Sequence, residues 1–315
     1  MESAIQVKSL TIEDLVRKFS LKVLTGENQL QRPIRQSRCH RPGLEFVGHF
    51  DFFPTERVQI LGRKEITYLH KLSIEERQLR IGNIVKYHPP CFIVTAEQKG
   101  LTYITQYCIE EGIPLLLTNE PQVSATEFIT ELDAYMVKRL APEISVHGVC
   151  ISVYGIGILL RGKSGVGKSE TAHTMIGRGH RLVADDIVVI KKLSPRTILA
   201  THNEQTKEFL ALRSVGLLNV VRLYGRKAFQ DETKIDLDIE LTKWQKDSLN
   251  NELEHEPSYT EYMGVRVPHI EIQLQPGRDV AGLIEAAANN WLLKKEGYSA
   301  AEEFMRRLES NSGWN

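Results

Sequence analysis

One octapeptide constrains this chain more than any other stretch: Gly162-Lys163-Ser164-Gly165-Val166-Gly167-Lys168-Ser169. It meets the phosphate-binding loop pattern G-x-x-x-x-G-K-[ST] at every fixed position. The chemistry accounts for the spacing. Glycines let the backbone bend so that successive N–H groups point inward at phosphate oxygens. Lys168 can reach the outer phosphates, and the Ser169 hydroxyl can ligate magnesium. A following helix adds its positive N-terminal end. The flanks agree with the motif. Residues 149–160, rich in Val, Ile and Leu, read as a strand broken by a turn at Tyr154-Gly155-Ile156-Gly157. Residues 169–176 read as a helix ended by Gly177 and Gly179. The plain alternative is a glycine-rich turn carrying an ordinary surface lysine.

The rest of the composition narrows the class. A chain of 315 residues suggests two domains. Basic and acidic residues number 40 each, which disfavours a wholesale nucleic-acid or membrane-surface binder. No apolar run approaches the roughly 18 residues of a membrane span. Residues 1–9 lack the apolar core and cleavage site of a signal peptide. Cys39, Cys91, Cys108 and Cys150 are far apart and form no C-x-x-C. They read as reduced, mostly buried thiols of a cytoplasmic protein, the alternative being a zinc site shared with His40.

Two halves are expected, 1–134 and 135–315. The first reads as a small α/β domain. Its strands are expected near 58–61, 91–95 and 114–118, and its helices near 11–19 and 74–81. His40 and Arg41-Pro42-Gly43 read as loop structure. Residues 126–140 read as the helix that links the halves. In the second half a strand is expected over 181–190, a helix over 280–295 capped by Asp279, and a last helix over 299–308 with a capping box at Ser299 and Glu302.

Asp185-Asp186 follows the loop by less than twenty residues. A carboxylate beside a phosphate loop can meet the metal or the acceptor hydroxyl. Neighbours on a strand point to opposite faces, so the two acids need not share a role. His147, just upstream, is unremarkable alone. Glu170 lies in the first helical turn, where a carboxylate gains modestly from the helix dipole.

Taken together these residues resemble the HPr kinase/phosphorylases. The resemblance rests on Gly162 to Glu170, on His147-Gly148-Val149, and on Val153-Tyr154-Gly155-Ile156-Gly157. It rests also on Arg178-Gly179-His180-Arg181-Leu182-Val183-Ala184-Asp185-Asp186. It extends to Arg41-Pro42-Gly43-Leu44-Glu45 and Gln59-Ile60-Leu61-Gly62 before the loop. After it come Pro276-Gly277-Arg278 and Ile284-Glu285-Ala286-Ala287-Ala288.

The resemblance implies a small N-terminal α/β domain and a C-terminal P-loop domain. The nucleotide core of the latter is like that of phosphoenolpyruvate carboxykinase. It implies a bacterial cytoplasmic enzyme of carbon metabolism, assembled as a homohexamer. Such an enzyme uses ATP and Mg2+ to phosphorylate a serine of the phosphocarrier protein HPr. It removes that phosphate with inorganic phosphate, releasing pyrophosphate. By position, Lys168 is the phosphate-contacting lysine, Ser169 the magnesium ligand, Asp186 the general base and His147 the active-site histidine.

Three stretches depart from the family pattern. Where the family has E-[IV]-R-G-L-G, this chain has Ala211-Leu212-Arg213-Ser214-Val215-Gly216, so an acid that supports magnesium is an alanine. Glu208 is a conceivable substitute. A catalytic arginine aligns with Glu252, with Lys243 or Lys246 as conceivable substitutes. The family's V-R-P-G-R-N, tied to dephosphorylation, reads Leu274-Gln275-Pro276-Gly277-Arg278-Asp279. A kinase with weakened phosphorolysis is therefore expected. A kinase for another serine or small molecule stays open, as does a nucleotide-binding regulator that transfers nothing.

Overall fold

The computed structural model describes residues 4–6, 8–95, 100–119, 124–244, 258–275 and 277–311. The chain forms two compact units, 7–141 and 142–315, the latter joined by residues 1–6.

The first unit runs α1 (Ile12–Phe19), β1 (Lys22–Thr25), β2 (Gln59–Leu61), α2 (Arg63–His70), α3 (Ile74–Val85), β3 (Phe92–Val94), α4 (Thr102–Glu110), β4 (Leu115–Leu117) and α5 (Ala125–Leu140). Its sheet has the order β1-β4-β3-β2. β2, β3 and β4 are parallel, and β1 is an antiparallel edge. Short apolar runs such as Phe92-Ile93-Val94 suit strands covered on both faces. Alternation divides them. Leu61, Phe92, Val94 and Leu115 pack with Ile66, Ile81 and Ile104 of α2, α3 and α4. Ile60, Ile93 and Leu116 pack with Leu15 of α1 and with Phe128, Leu132 and Met136 of α5. Thr11, Ser73 and Ser124 close capping boxes at the starts of α1, α3 and α5.

A boundary at 134/135 would cut α5. That helix is continuous to Leu140 and packs on the first unit's own sheet, so the division falls after Ala141. The helices α2 and α4 and the edge strand β1 were not expected from periodicity. They are short, and their amphipathic pattern covers barely two turns.

The second unit runs β5 (Glu143–His147), β6 (Val149–Val153), β7 (Ile156–Arg161), α6 (Lys168–Gly177), β8 (Arg181–Ala184), β9 (Ile187–Ser194), β10 (Thr197–His202), β11 (Phe209–Leu212), β12 (Gly216–Asn219), α7 (Val220–Tyr224), β13 (Glu232–Lys243), β14 (Ser258–Tyr262), β15 (Val265–Leu274), α8 (Val280–Lys295) and α9 (Ala300–Asn311). Among the described residues nine strands form one sheet, ordered β5-β9-β10-β13-β7-β6-β8, with β15 also on β13 and β14 on β15. β7 lies parallel to β13, which puts the strand that feeds the loop at the centre of the sheet. One face packs Ile158, Leu160, Leu237 and Ile239 against Ala172 and Met175 of α6 and Ile284 of α8. The other packs Leu159, Ile190, Ala200 and Tyr262.

Two local expectations change. The turn before the loop is only Tyr154-Gly155, both at positive φ (52° and 83°), so Ile156 and Gly157 are already strand. This is the hairpin turn whose twist matches its strands. The strand expected over 181–190 is two strands. Asp186 sits at φ 65°, a left-handed conformation that aspartate tolerates better than most residues, and the chain turns there. Among the described residues no helix is long and apolar enough to cross a membrane.

Candidate active site

Gly162, Gly165 and Gly167 take φ of 137°, 76° and 107°, which makes the loop a tight concave turn between β7 and α6. At Gly162 a Cβ would lie 2.4 Å from the Leu241 carbonyl oxygen of β13, so only glycine lets the loop leave the sheet there. Val166 is buried in the core under α6, and its N–H donates to the Lys163 carbonyl at 3.2 Å. Lys163 and Ser164 are exposed. Gly167 caps α6 without a side-chain bond, so the N–H groups of the first turn face an incoming anion. The Lys168 ammonium lies across the loop, donating to the carbonyls of Gly162 at 3.0 Å and Lys163 at 3.3 Å.

The two aspartates separate. Asp185 is buried. One of its oxygens accepts the Ser169 hydroxyl at 2.9 Å, and the other accepts the Ala211 N–H at 2.9 Å. Burial pushes its carboxyl above the ordinary range, against the lowering effect of those two hydrogen bonds. Asp186 turns the other way and is three-quarters exposed, with an oxygen 3.6 Å from Nδ1 of the equally open His147. The backbone enforces this pairing. His147 is in register with Ile187 across β5 and β9, and the Gly148 N–H donates to the Asp186 carbonyl at 3.1 Å. His147 is thus brought to Asp186 by sheet pairing, and Asp185 to Ser169 by the turn between β8 and β9.

One of the three departures touches this cluster. Ala211 lies on β11 of the hairpin β11–β12, and its main-chain N–H binds Asp185. The guanidinium of Arg213, at the hairpin's turn, lies over the loop: a Cβ on Gly165 would come within 2.3 Å of it. Arg213 was part of the aligned stretch, but its place over Gly165 could not be read from the pattern. The carboxylate that Asp279 adds, where the family has an asparagine, is already paired. It accepts the Gly282 N–H as the cap of α8, and both its oxygens lie 2.9 Å from Arg178. Arg178 also binds Glu285, which holds His180 at 2.8 Å. Glu252, Lys246 and Pro276 lie outside the described residues.

Magnesium fits the donor set. The Ser169 hydroxyl gives its proton to Asp185, which leaves its lone pairs for a cation, and the carboxylate sits directly behind it. Among the described residues no cluster of three or more His, Cys, Asp or Glu could hold a metal. The zinc alternative has no ligand cluster there. Cys91, Cys108 and Cys150 are buried free thiols, and His40 is instead bonded to Glu45 at 3.0 Å.

Residues 138–308 match the family described as HPr Serine kinase C-terminal domain, and residues 10–136 match HPr Serine kinase N terminus. A relative from Oceanobacillus iheyensis, provisionally named HPr kinase/phosphorylase 2, is 67% identical over 98% of this chain and 99% of its own. HPr kinase/phosphorylases of Bacillus cereus and Bacillus licheniformis are 36% and 37% identical, over 95% and 94% of this chain and 96% and 94% of theirs. A solved structure of the Hpr(Ser) kinase/phosphatase from Coxiella burnetii is 28% identical, covering 51% of this chain and 97% of that one, with a TM-score of 0.46. The chain, matched along both of its units, belongs to the HPr serine kinase family.

Proposed function

We propose that this chain transfers the terminal phosphoryl group of ATP to a serine hydroxyl of HPr. The observation that carries this reading is the division of labour between adjacent aspartates. Asp185 faces the loop serine while Asp186 stands open beside His147. Phosphoryl transfer needs phosphate oxygens held, charge neutralised and a proton accepted from the attacking hydroxyl. The glycine-shaped loop and the first turn of α6 hold the phosphates. Lys168 and Arg213 supply positive charge. Ser169, backed by Asp185, would hold the magnesium that ATP brings, which neutralises phosphate charge. Asp186 accepts the serine proton, and His147 at 3.6 Å orients it.

With this reading go ATP as donor, HPr as acceptor, and inorganic phosphate and pyrophosphate as reactant and product of a weak reverse reaction. A homohexamer in the cytoplasm is the matching assembly and location. Purified protein with magnesium-ATP and HPr, followed by intact mass, tests it. A gain of one phosphate on HPr, absent with Lys168→Ala, is expected. ATP binding without any such gain would favour the regulator instead.

A further inference from the structure

We propose that the N-terminal unit carries a second anion site, for a small phosphate monoester, in the cleft formed by Arg32, Arg35 and Tyr87-His88. The cavity there is about 320 Å³, and Thr55, Glu56 and two prolines, Pro33 and Pro90, complete its lining. That is the lower end of the range for ligand pockets, so the occupant is small.

The charges in this cleft are unbalanced. Arg32 donates only to main-chain carbonyls, Nη1 to Gly112 and Nη2 to His88, each at 3.4 Å. Among the described residues Arg35 has no partner of any kind. Two guanidiniums therefore line one concave surface with no carboxylate paired to either. Planar guanidinium forks suit a phosphate, which can take two parallel N–H bonds from each. Glu56, the acid of the cleft, accepts from the Gln36 side chain at 3.2 Å. Its remaining lone pairs suit a ligand hydroxyl.

The walls are fixed. Tyr87 stacks on Phe50 with centroids 5.0 Å apart and planes 18° apart, and meets the edge of Phe53 at 5.4 Å. His88 stands at φ 50°, an uncommon conformation for a residue other than glycine. Its N–H donates to the Val85 carbonyl at 2.9 Å, which closes the turn there. Its ring nitrogen Nε2 lies 3.7 Å from Glu111. Backbone held in a sparse region at a cleft is the pattern of a ligand clamp.

This inference is independent of the phosphate loop, and equilibrium dialysis can separate the two. Labelled inorganic phosphate and labelled glycerol 3-phosphate are dialysed separately against the full chain. Two classes of site are expected. Lys168→Ala removes one, and Arg35→Glu weakens the other by about tenfold or more. Arg32→Gln weakens the same class, and a circular-dichroism melt confirms that each variant is folded. A single class lost to Arg35→Glu keeps this inference and counts against the loop. Binding untouched by both arginine variants, or lost entirely with Lys168→Ala, overturns it. Phosphate binding without glycerol 3-phosphate binding at the arginine-sensitive site overturns the assignment to a monoester.

Discussion

Arg161 and Asp238 form a two-pronged ion pair: Nε and Nη2 of the arginine each lie 2.6 Å from a carboxylate oxygen of the aspartate. Arg161 is the last residue of β7, directly before Gly162, and Asp238 is fully buried on the neighbouring β13. The same carboxylate accepts from Tyr262 and Thr260 at 2.8 Å each and from His269 at 2.6 Å. One buried charge thus ties β7, β13, β14 and β15 at the point where the chain leaves the sheet for the phosphate loop. Removing one member of a buried pair leaves the other uncompensated, which costs about 3–5 kcal/mol. Asp238→Ala is therefore expected to lower the unfolding free energy of the C-terminal unit by about that amount. Urea unfolding followed by tryptophan fluorescence reports on this half of the chain, because its three tryptophans, Trp244, Trp291 and Trp314, all follow residue 142 in the sequence. A loss below about 1 kcal/mol would show that the cluster does not anchor the loop.

The same residue sets an acid limit. Burial raises the Asp238 carboxyl, but the Arg161 bonds and charge, then His269 and Thr260, outweigh burial and hold it below the ordinary 3.8. A group lowered on folding contributes its stability in full above the unfolded value, and loses it as pH falls through the folded value. The natural chain and Asp238→Asn should therefore differ most near neutral pH and converge in the acid limb below about pH 4. Parallel unfolding curves at each pH check this. A constant gap down to the lowest pH would show that the titration lies elsewhere.

Asp186→Asn should keep nucleotide affinity and lower the transfer rate by about 10²–10⁴, because an amide cannot accept the serine proton. Asp185→Asn should act differently. It weakens the hold on Ser169 and on the Ala211 N–H, and so should raise the magnesium concentration needed for half-maximal rate. Single-turnover transfer measured across magnesium concentrations separates the two. A mild Asp186→Asn beside a rate-dead Asp185→Asn would reverse the roles.

How much of this was legible in the sequence follows from the range of each signal. The phosphate loop, the long helices α5 and α8 and the buried parallel strands are local patterns of spacing, and they stand where periodicity put them. Asp185 and Asp186 are chemically identical neighbours, so nothing in Leu182-Val183-Ala184-Asp185-Asp186 tells them apart. The difference is a backbone turn at Asp186, made by pairing β9 with β5 some forty residues away in sequence. Arg161 to Asp238 and Arg178 to Asp279 are likewise separated by 77 and 101 residues. Without the sheet order, each reads as a lone surface charge. For Asp279 the sequence shows the added carboxylate but not the arginine that pairs with it.

Lys168→Ala should abolish transfer and weaken nucleotide binding by about tenfold or more, since it removes the cation that crosses the loop. Titration with a fluorescent ATP analogue, beside the transfer assay, checks both effects. Unchanged affinity and turnover would remove the loop from the reaction.

The last prediction concerns direction. Phosphorolysis brings inorganic phosphate beside a phosphoserine, so two anions must share one pocket, whereas in the forward reaction ATP arrives with its own magnesium. Ala211 gives the ion no carboxylate, although its N–H, bound to Asp185, sets its side chain on the strand next to the Ser169–Asp185 pair. Pyrophosphate release from phosphoserine-HPr should therefore lag well behind the forward rate. Ala211→Glu places a carboxylate on that strand. It should lower the magnesium needed in both directions and raise the reverse rate relative to the forward one by about tenfold. Asp279→Asn should leave the ratio within about twofold, because Arg178 already neutralises the aspartate and asparagine caps α8 as well. Both rates are read in one assay of pyrophosphate release and phosphoprotein formation. A natural chain whose reverse rate matches its forward rate, or an Ala211→Glu variant with unchanged magnesium dependence, would show that position 211 does not set the direction.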